Sequence, residues 1–508
     1  MARVPARGVS PDGEVAMTTD RLRPAAAVLP TALCAAVLGL TSVLLPAAVP
    51  GSDQLAARWR LLAEQGWIMN GTGNPDPTVG PYLGQILAGY LQPTSPHFPG
   101  QPTFAEYSFQ GLTTPEQFCP FVCLPGQPAM DFGTSLNTGV DLLNQAILPQ
   151  LLGGDDVTVF GYSQSAAITT IAMNALIANA GTDGYPTLDQ LGNLHVVLIG
   201  DPNNPIGGIL DRFAFPGEQH LPFVNIPLSL GATPTEHIAA DIYTGQYDGW
   251  ANFPRDPTNL LAVINALIGI LTVHPYYPDY SAEQLASAID VGTIGDANFY
   301  MIPQNLPILQ FMFNGGTAGQ FFGDFFSPWA RLAINWGYGN AGDPAVNGLH
   351  PIPAGEFING SAYQQAFGVA GGPWAMTPTG ELYDGSGVMG LFLRMDPLQM
   401  LAGVQNALIQ SLVGPWADIA AAANGGVLTA EGISVISGIT DVLQTITGYD
   451  LVNSIDQFLI NGWSDLADAV GLGDLLGPDA VMSGVAIPGD GLLDLIGVGF
   501  SFVNLFGA

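Results

Sequence analysis

The chain has 508 residues, which is long enough for two or more domains and for a large buried core. Hydrophobic residues make up 48% of it and charged residues only 10%, so its composition excludes a disordered chain. The formal net charge of −32 excludes a general electrostatic attraction to nucleic acid phosphates, and no nucleic-acid partner is expected.

An uncharged, mostly apolar stretch at residues 25–49 follows Arg21 and Arg23. It is longer than a secretory h-region of about 7–15 residues and reaches the ~20 residues of a membrane-spanning helix. We expect either a signal anchor or a cleaved signal peptide, with residues 1–24 either in the cytosol or mis-assigned, in which case Met17 would be the true start. Either alternative exports the rest of the chain, secreted or anchored in the cell envelope. The anchor also predicts membrane association.

The first predicted strand, Trp67–Met69, runs into the glycine-rich turn Asn70-Gly-Thr-Gly-Asn-Pro75. Such a turn can present bare backbone N–H groups, which in a hydrolase form half of an oxyanion hole. Gly71 or Thr72 would supply that N–H. A phosphate-binding loop is disfavoured because the turn lacks Lys and the full GxGxxG spacing. An ordinary surface turn is the alternative.

Export makes Cys119 and Cys123 candidates for a disulfide. Four positions apart, they would lie one helical turn from each other, near the upper end of the Cα spacing that a disulfide spans. Two free buried thiols are the alternative.

Helices and strands alternate through the middle of the chain. Apolar residues at steps of three and four over Leu136–Leu151 predict an amphipathic helix packed on a sheet. Val157–Phe160 and His195–Ile199 predict buried strands, and a small-residue helix is predicted after Ser165. This alternation favours an α/β fold with a mainly parallel sheet, in which reactive groups gather at the carboxyl ends of the strands.

The segment Gly161-Tyr-Ser-Gln-Ser165 has the strand, turn and helix context of a nucleophile elbow. Small residues stand two positions before and two after Ser163, where strand and helix nearly touch. Ser163 is therefore the candidate nucleophile, and the backbone N–H of Gln164 is the candidate oxyanion donor. The alternative is an ordinary turn with an exposed serine.

A serine nucleophile needs a base, and in the α/β-hydrolase order this histidine comes last. His274 follows the predicted apolar helix Leu260–Leu271, at an element's end where a base would be delivered. His195 lies inside a predicted strand and is expected to be structural. The other downstream histidines are His220, His237 and His350. Of these, the first two flank a segment, residues 215–234, that is typical of a hairpin or lid.

The acid that orients the base has two candidates, Asp201 and Asp248. Asp248 is preferred because it follows the later strand. Asp201 is expected to shape the turn Asp201-Pro-Asn-Asn-Pro205 instead.

Five segments occur in an order that resembles the mycobacterial PE-PPE C-terminal domain, over about residues 64–340. They are Phe160-Gly-Tyr-Ser-Gln-Ser-Ala166, Gly200-Asp-Pro-Asn-Asn-Pro205, Gly231-Ala-Thr-Pro-Thr235, Tyr247-Asp-Gly-Trp-Ala251 and Val273-His-Pro-Tyr276. The resemblance implies a cutinase-like serine α/β hydrolase with a triad of Ser163, Asp248 and His274. Two departures stand out: an apolar N-terminal segment replaces the PE or PPE module, and Asn70 replaces an expected Gly.

The predicted hydrolase domain spans residues 53–340, and residues 341–508 form a Gly-rich C-terminal extension of unknown role. Amphipathic helices are predicted in this extension at Met400–Leu412, Glu431–Ile446 and Leu451–Val470. The sequence shows no metal-ligand cluster, and no metal or cofactor is expected.

Three functions remain open at this stage. The first is a serine esterase or lipase that hydrolyses acyl esters. The second, which the resemblance also implies, is an envelope transacylase that moves fatty acyl chains between trehalose glycolipids. The third is a non-catalytic envelope interaction protein, against which the unbroken set of serine, aspartate and histidine argues.

Overall fold

The computed structural model describes residues 64–338, apart from 214–219, 222–224, 228–229 and 255–258, together with 397–423, 429–448, 451 and 455. The predicted N-terminal segments, residues 1–24 and 25–49, lie outside the described residues, and so does most of the helix predicted at Leu451–Val470. Within the described part of the chain, no helix combines the length and apolarity needed to cross a membrane.

The centre of the protein is a seven-stranded sheet in the order β2-β1-β3-β4-β7-β9-β8. The strands are β1 (Gln65–Ile68), β2 (Ser108–Gly111), β3 (Val157–Tyr162), β4 (Leu194–Ile199), β5 (His220–Leu221), β6 (Ile226–Pro227), β7 (Ala239–Gly245), β8 (Ile289–Ile294) and β9 (Ala297–Ile302). Neighbours in the sheet are parallel except β8 and β9, and β5 and β6 form a separate antiparallel pair. A mainly parallel sheet with helical crossovers confirms the predicted α/β fold.

Helices cover the sheet and continue beyond it. They are α1 (Tyr82–Ile86), α2 (Phe132–Gly153), α3 (Gln164–Ala178), α4 (Leu188–Leu191), α5 (Ile209–Arg212), α6 (Leu260–Thr272), α7 (Ala282–Ala286), α8 (Gln310–Phe313), α9 (Gly316–Trp336), α10 (Pro397–Ala423) and α11 (Ala430–Thr447). A π-helical turn, Leu87–Leu91, extends α1, and 3₁₀ helices span His274–Asp279 and Pro307–Leu309.

Helix α2 shows how local sequence sets an element's limits. The Asp131 side chain accepts a hydrogen bond from Thr134 N at 2.8 Å and caps the N-terminus, while Gly154 ends the helix at φ 80°. The predicted apolar stripe is buried, which confirms both the helix and the face it turns to the sheet.

The two faces of the sheet differ in chemistry. Val157 and Val159 of β3 join a mainly aliphatic core with α2 and α3. Phe160 and Tyr162 belong to a second core rich in aromatic side chains, which includes α1 and the 3₁₀ helix after α6. Alternate residues of β3 point to opposite faces of the sheet. All of them are buried, because helices or loops cover both faces.

Two helices predicted in the C-terminal extension are present, as α10 and α11. Helix α10 packs against α9, and the rings of Trp416 and Phe321 have centroids 6.2 Å apart. Helix α10 therefore lies against the α/β body of the protein, and α11 packs on α10.

Cys119 and Cys123 form a disulfide, with their Cα atoms 5.0 Å apart. The expected helical turn between them is wrong. Phe118 and Val122 instead form an antiparallel bridge, exchanging two backbone hydrogen bonds of 2.8 Å, so the disulfide closes a tight loop.

Candidate active site

Ser163 stands in the turn between β3 and α3, with φ 58° and ψ −114°. A positive φ is costly for a residue with a side chain and persists only where the surroundings enforce it. A Cβ at Gly161 would lie 2.8 Å from the carbonyl oxygen of Ser165, so this position requires glycine. Ser165 Oγ accepts a hydrogen bond from Tyr162 N at 2.8 Å and closes the turn. The geometry is that of a nucleophile elbow.

The His274 ring lies between the other two candidate residues. Its Nε2 is 2.7 Å from Ser163 Oγ, and its Nδ1 is 2.7 Å from Asp248 Oδ2. Both distances are within hydrogen-bond range. Asp248 is fully buried and His274 nearly so, whereas Ser163 is partly exposed, so the open end of this arrangement is the serine. The three residues preferred from the sequence are therefore brought together.

One hydrogen bond holds the backbone of His274, and a glycine leaves room for its ring. Helix α6 ends at Thr272, and His274 begins the 3₁₀ helix that follows. The Tyr162 hydroxyl, from the residue before the serine, donates to the His274 carbonyl at 2.6 Å. Gly200 has φ 57°, and a Cβ there would lie 3.1 Å from His274 Cε1. The glycine at the end of β4 thus leaves room for the ring.

Asp248 receives two further hydrogen bonds besides that of His274. Trp250 N donates to Oδ1 at 2.9 Å, and the Tyr277 hydroxyl donates to Oδ2 at 2.8 Å. The same hydroxyl accepts from Gly245 N at 2.6 Å. Burial, followed by the nearby Asp248 carboxylate, raises the pKa of Tyr277 well above its usual value, so the phenol keeps the proton it donates. The donors compensate the desolvation of the buried carboxylate.

Sequence reasoning missed Tyr277, although it stands within the His274-Pro-Tyr-Tyr277 segment. Its position three residues after the histidine on a 3₁₀ helix returns its side chain to the same region. The 3₁₀ helix was not predicted from the sequence, so the three-residue spacing from His274 did not point to Tyr277.

The two candidate oxyanion donors after β1 differ in availability. Gly71 adjoins the serine, since a Cβ on it would lie 3.2 Å from Ser163 Cβ, but its N–H donates to Asn70 Oδ1 at 2.7 Å. None of the described residues accepts a hydrogen bond from the N–H of Thr72. Gln164 is the first residue of α3, so its N–H has no partner within that helix. The N–H groups of Thr72 and Gln164 are therefore the more available pair of donors.

The side chain of Gln164, also missed from the sequence, joins the parts of this site. Its Oε1 accepts from Thr72 Oγ1 at 3.0 Å, and its Nε2 donates to Gln117 O at 3.0 Å and to Ser135 Oγ at 2.9 Å. Gln164 is buried. The amide thus connects the elbow with the loop after β1, the loop before α2, and α2 itself.

Asp201 lies away from the serine and histidine contacts and has its own partners. Oδ1 accepts from Asn203 N at 2.9 Å, which is the turn-shaping role expected from the sequence, and Oδ2 accepts from Thr233 Oγ1 at 2.7 Å. Burial raises the pKa of Asp201 to about 6.

None of the other described histidines forms a hydrogen bond with Ser163. His195 Nε2 contacts Asp241 Oδ2 at 2.5 Å, in keeping with the structural role expected of it. His220 and His237 are exposed, and the backbone N–H of His237 donates to Asp296 Oδ2 at 2.8 Å. His350 lies outside the described residues. Among the described residues, no three His, Cys, Asp or Glu side chains gather as they would around a metal ion.

The PE-PPE domain model matches residues 105–339, a range that includes the serine, aspartate and histidine described above. These residues are a PE-PPE domain. The recognition made from the five sequence segments is confirmed, and the PE-PPE domain has an α/β-hydrolase-like fold. The match begins after β1, yet β1 lies between β2 and β3 in the sheet, so the fold extends before the matched range.

Curated relatives of the PE-PPE domain are mycobacterial. "Esterase PE16" of Mycobacterium tuberculosis is 36% identical over 340 residues, which cover 65% of this chain and 58% of that protein. "PE family protein PE3" of the same organism is 36% identical over 278 residues, 54% of each chain. "Diacyltrehalose acyltransferase Chp2", also from that organism, is 29% identical over 150 residues, 29% of this chain and 39% of that protein. This chain spans about half the length of the first two relatives.

Proposed function

We propose that this protein is a serine esterase or lipase that hydrolyses acyl esters through an acyl-enzyme on Ser163. The observation that carries the proposal is the His274 ring, with Ser163 Oγ 2.7 Å from one nitrogen and Asp248 Oδ2 2.7 Å from the other. A base held in this way can take the serine proton while the acid keeps the ring in one tautomer.

The reaction begins when Ser163 Oγ attacks the ester carbonyl carbon and His274 Nε2 takes the hydroxyl proton. Asp248 stabilises the imidazolium through Nδ1–H, and the N–H groups of Gln164 and Thr72 donate to the developing oxyanion. When the tetrahedral intermediate collapses, the C–O bond to the alcohol breaks and His274 returns the proton to the leaving oxygen. Water, deprotonated by His274, then attacks the acyl-enzyme and releases the acid and free Ser163.

Similarity to "Esterase PE16" supports the first of these functions. A second candidate, acyl transfer to a sugar hydroxyl, is favoured by the similarity to "Diacyltrehalose acyltransferase Chp2". Both reactions share the acyl-enzyme and differ in the acceptor that attacks it. Transfer requires an acceptor bound close to the ester while water is excluded. A glycolipid such as an acylated trehalose is the acceptor class we propose for that alternative.

We further propose that the protein acts outside the cytoplasmic membrane, with residues 25–49 as signal peptide or membrane anchor. Fractionation of the producing cells, followed by N-terminal sequencing of the mature protein, separates the two. A chain found only in the cytosol would contradict the proposal.

The test uses the full chain, a fluorophosphonate probe, and short- and long-chain p-nitrophenyl esters. We expect the probe to label the protein and the esters to be hydrolysed, with both activities lost in Ser163→Ala. Ser281→Ala is the matched control, because Ser281 is an exposed helix cap on α7. Labelling with little hydrolysis but with acyl transfer to an added trehalose ester would favour the transferase. Absence of labelling would favour a non-catalytic protein.

A further inference from the structure

Helix α6, which leads directly to His274, has the reverse of the usual amphipathic pattern. The residues it buries are small or polar, namely Ala262, Asn265, Ala266 and Gly269. The residues it exposes are large and apolar, namely Leu260, Leu261, Ile264, Leu267 and Leu271. Leu260 is 69% exposed, Leu267 50% and Leu271 72%. A surface helix normally turns such residues to the core.

The small residues have a clear reason. A Cβ at Gly269 would lie 1.9 Å from Tyr247 O, and one at Gly249 would lie 2.3 Å from Ala266 O. Helix α6 therefore lies very close to the backbone of the loop that carries Asp248, and only small residues fit between them. The burial of its small face explains why the helix is held in place. It leaves the large apolar face unexplained.

The exposed face carries no charge to keep it in water. From Asn259 to Pro278 the chain contains no Asp, Glu, Lys or Arg. Neighbouring α9, whose Ala333 carbonyl accepts a hydrogen bond from Asn259 Nδ2 at 2.7 Å, also exposes apolar side chains. These are Phe322, Phe325, Phe326 and Trp329. The charged side chains of α9, Asp324 and Arg331, are buried.

This apolar face adjoins the candidate active site in the chain. Leu271 lies three residues before His274 and Tyr276 two residues after it, and both are exposed. A surface that bound at Leu271 would therefore be close to the partly exposed Ser163, which is 2.7 Å from the His274 ring. Contiguous exposed apolar patches mark protein or membrane interaction sites.

We propose that the exposed face of α6 docks on the surface of an aggregate of neutral or zwitterionic lipid, which presents acyl esters to Ser163. The inference rests on the proposed function and specifies the physical state of its substrate. A helix with Leu and Ile on one face gains affinity for a lipid surface from the apolar area it buries. An uncharged face supplies no ion pairs for recognising a specific protein partner. The net charge of −32 opposes anionic lipid and selects neutral or zwitterionic surfaces.

Local insertion is measured with a fluorophore attached at position 267 of the full chain. Leu267→Cys is labelled with an environment-sensitive dye in a Cys34→Ser background, since Cys119 and Cys123 are joined in the disulfide. We expect phosphatidylcholine vesicles to shift the emission to the blue, and brominated phosphatidylcholine to quench it. Leu152→Cys is the matched control, because Leu152 is 45% exposed on α2. Its dye should not respond.

A second experiment compares hydrolysis of an emulsified ester with hydrolysis of a soluble ester. Leu267→Glu should lower kcat/KM for an emulsified long-chain ester at least tenfold and leave hydrolysis of soluble p-nitrophenyl acetate within twofold of the parent. Leu152→Glu should leave both unchanged. Because the contact is apolar, the dye response should persist in 1 M salt, and phosphatidylglycerol vesicles at low salt should give a weaker response than phosphatidylcholine.

Several results would overturn the docking proposal. One is a silent dye at position 267 with an active esterase, which rejects docking and leaves the proposed function intact. Another is a blue shift that grows with protein concentration in the absence of vesicles, which assigns the face to a second copy of the chain. Equal losses for Leu267→Glu and Leu152→Glu would also reject it. A dye that inserts on a protein without esterase activity supports docking and rejects the proposed function.

Discussion

Two His–Asp pairs lie at opposite ends of β7, which contains one of the aspartates and leads to the other. Asp241 is the third residue of β7 and contacts His195, near the start of β4. Asp248 follows the end of β7 by three residues and contacts His274. The extended chain from Asp241 to Gly245 rises about 13 Å before the turn that leads to Asp248, so the pairs are well separated. A close His–Asp contact alone therefore does not identify a catalytic site.

The two histidines use different ring nitrogens. His195 meets its aspartate through Nε2, and its ring packs edge-on against Phe104 with centroids 4.8 Å apart. His274 meets its aspartate through Nδ1, which directs Nε2 to Ser163 Oγ. The choice of ring nitrogen that contacts the aspartate sets the direction in which the other ring nitrogen points. In a parallel sheet, reactive groups also collect at the carboxyl ends of the strands, where His274 lies and His195 does not.

The largest expected contrast is between the two aspartates. Asp248→Asn should reduce kcat/KM for a p-nitrophenyl ester about 10⁴-fold, because the amide can no longer hold His274 in the required tautomer. Asp241→Asn should stay within twofold of the parent, since the His195 pair does not touch the serine. Steady-state kinetics on both variants measures the contrast. Similar losses in the two variants would contradict the different roles assigned to the two His–Asp pairs. A larger loss in Asp201→Asn than in Asp248→Asn would identify Asp201 as the acid.

Glu116 is a buried carboxyl that pairs with none of the described histidines, and it is expected to make stability depend on pH. Glu116 is fully buried, and its Oε1 accepts from Thr114 Oγ1 at 2.7 Å. Desolvation raises the pKa of Glu116 to about 8 from the ordinary 4.5. Between pH 4.5 and about 8 the folded state therefore holds a proton that the unfolded state releases, and the stabilisation by neutral Glu116 is complete only below pH 4.5. This stabilisation is lost as the pH rises toward 8.

The expected loss is about 1.4 kcal/mol of unfolding free energy for each pH unit between those values. In Glu116→Gln the contribution of Glu116 to this slope should disappear, so the variant should lose less stability than the parent between pH 5 and pH 9, which urea unfolding at pH 5, 7 and 9 can measure. Glu106→Gln is the control, because Glu106 is exposed. If Glu116→Gln and the parent lose stability in parallel as the pH rises, Glu116 does not carry the effect.

The His195–Asp241 pair is expected to contribute to the stability of the fold. Asp241 is buried and also accepts from Asn298 Nδ2 at 3.0 Å, so it links three neighbouring strands. Asp241→Asn should lower the unfolding free energy by about 1–3 kcal/mol, because an amide cannot accept from both donors with both atoms. Urea unfolding at pH 7 gives the value. An Asp241→Asn variant as stable as the parent would show that the pair is dispensable.

The smallest effect is expected at Tyr277. Tyr277→Phe removes the hydroxyl that donates to Asp248 Oδ2 and accepts from Gly245 N, and kcat should fall about tenfold with little change in KM. Tyr280→Phe is the matched control, because none of the described residues hydrogen-bonds its hydroxyl. Equal behaviour of the two variants would deny Tyr277 a positioning role.

The prediction from sequence was most accurate where the signal is local. The apolar stripe of α2 and the strand, turn and helix around Ser163 each occupy a short run of residues, and the structure has them close to the predicted limits. Predictions that depended on distant contacts were less complete. The Cys119–Cys123 segment is a loop rather than a helical turn, because the bridge between Phe118 and Val122 sets its shape. The roles of Gln164 and Tyr277 depend on side chains far apart in the chain.

The chemical components of the candidate site and their order follow from the sequence alone, since an elbow needs only a particular spacing of small residues around a serine. The tertiary fold sets which aspartate meets His274, which nitrogen faces Ser163, and that the Gly71 N–H donates to Asn70 whereas the Thr72 N–H has no acceptor among the described residues. It also decided which face of α6 is exposed. Those outcomes depend on contacts between segments up to 111 residues apart in the chain, and no periodic pattern within either segment predicts such contacts.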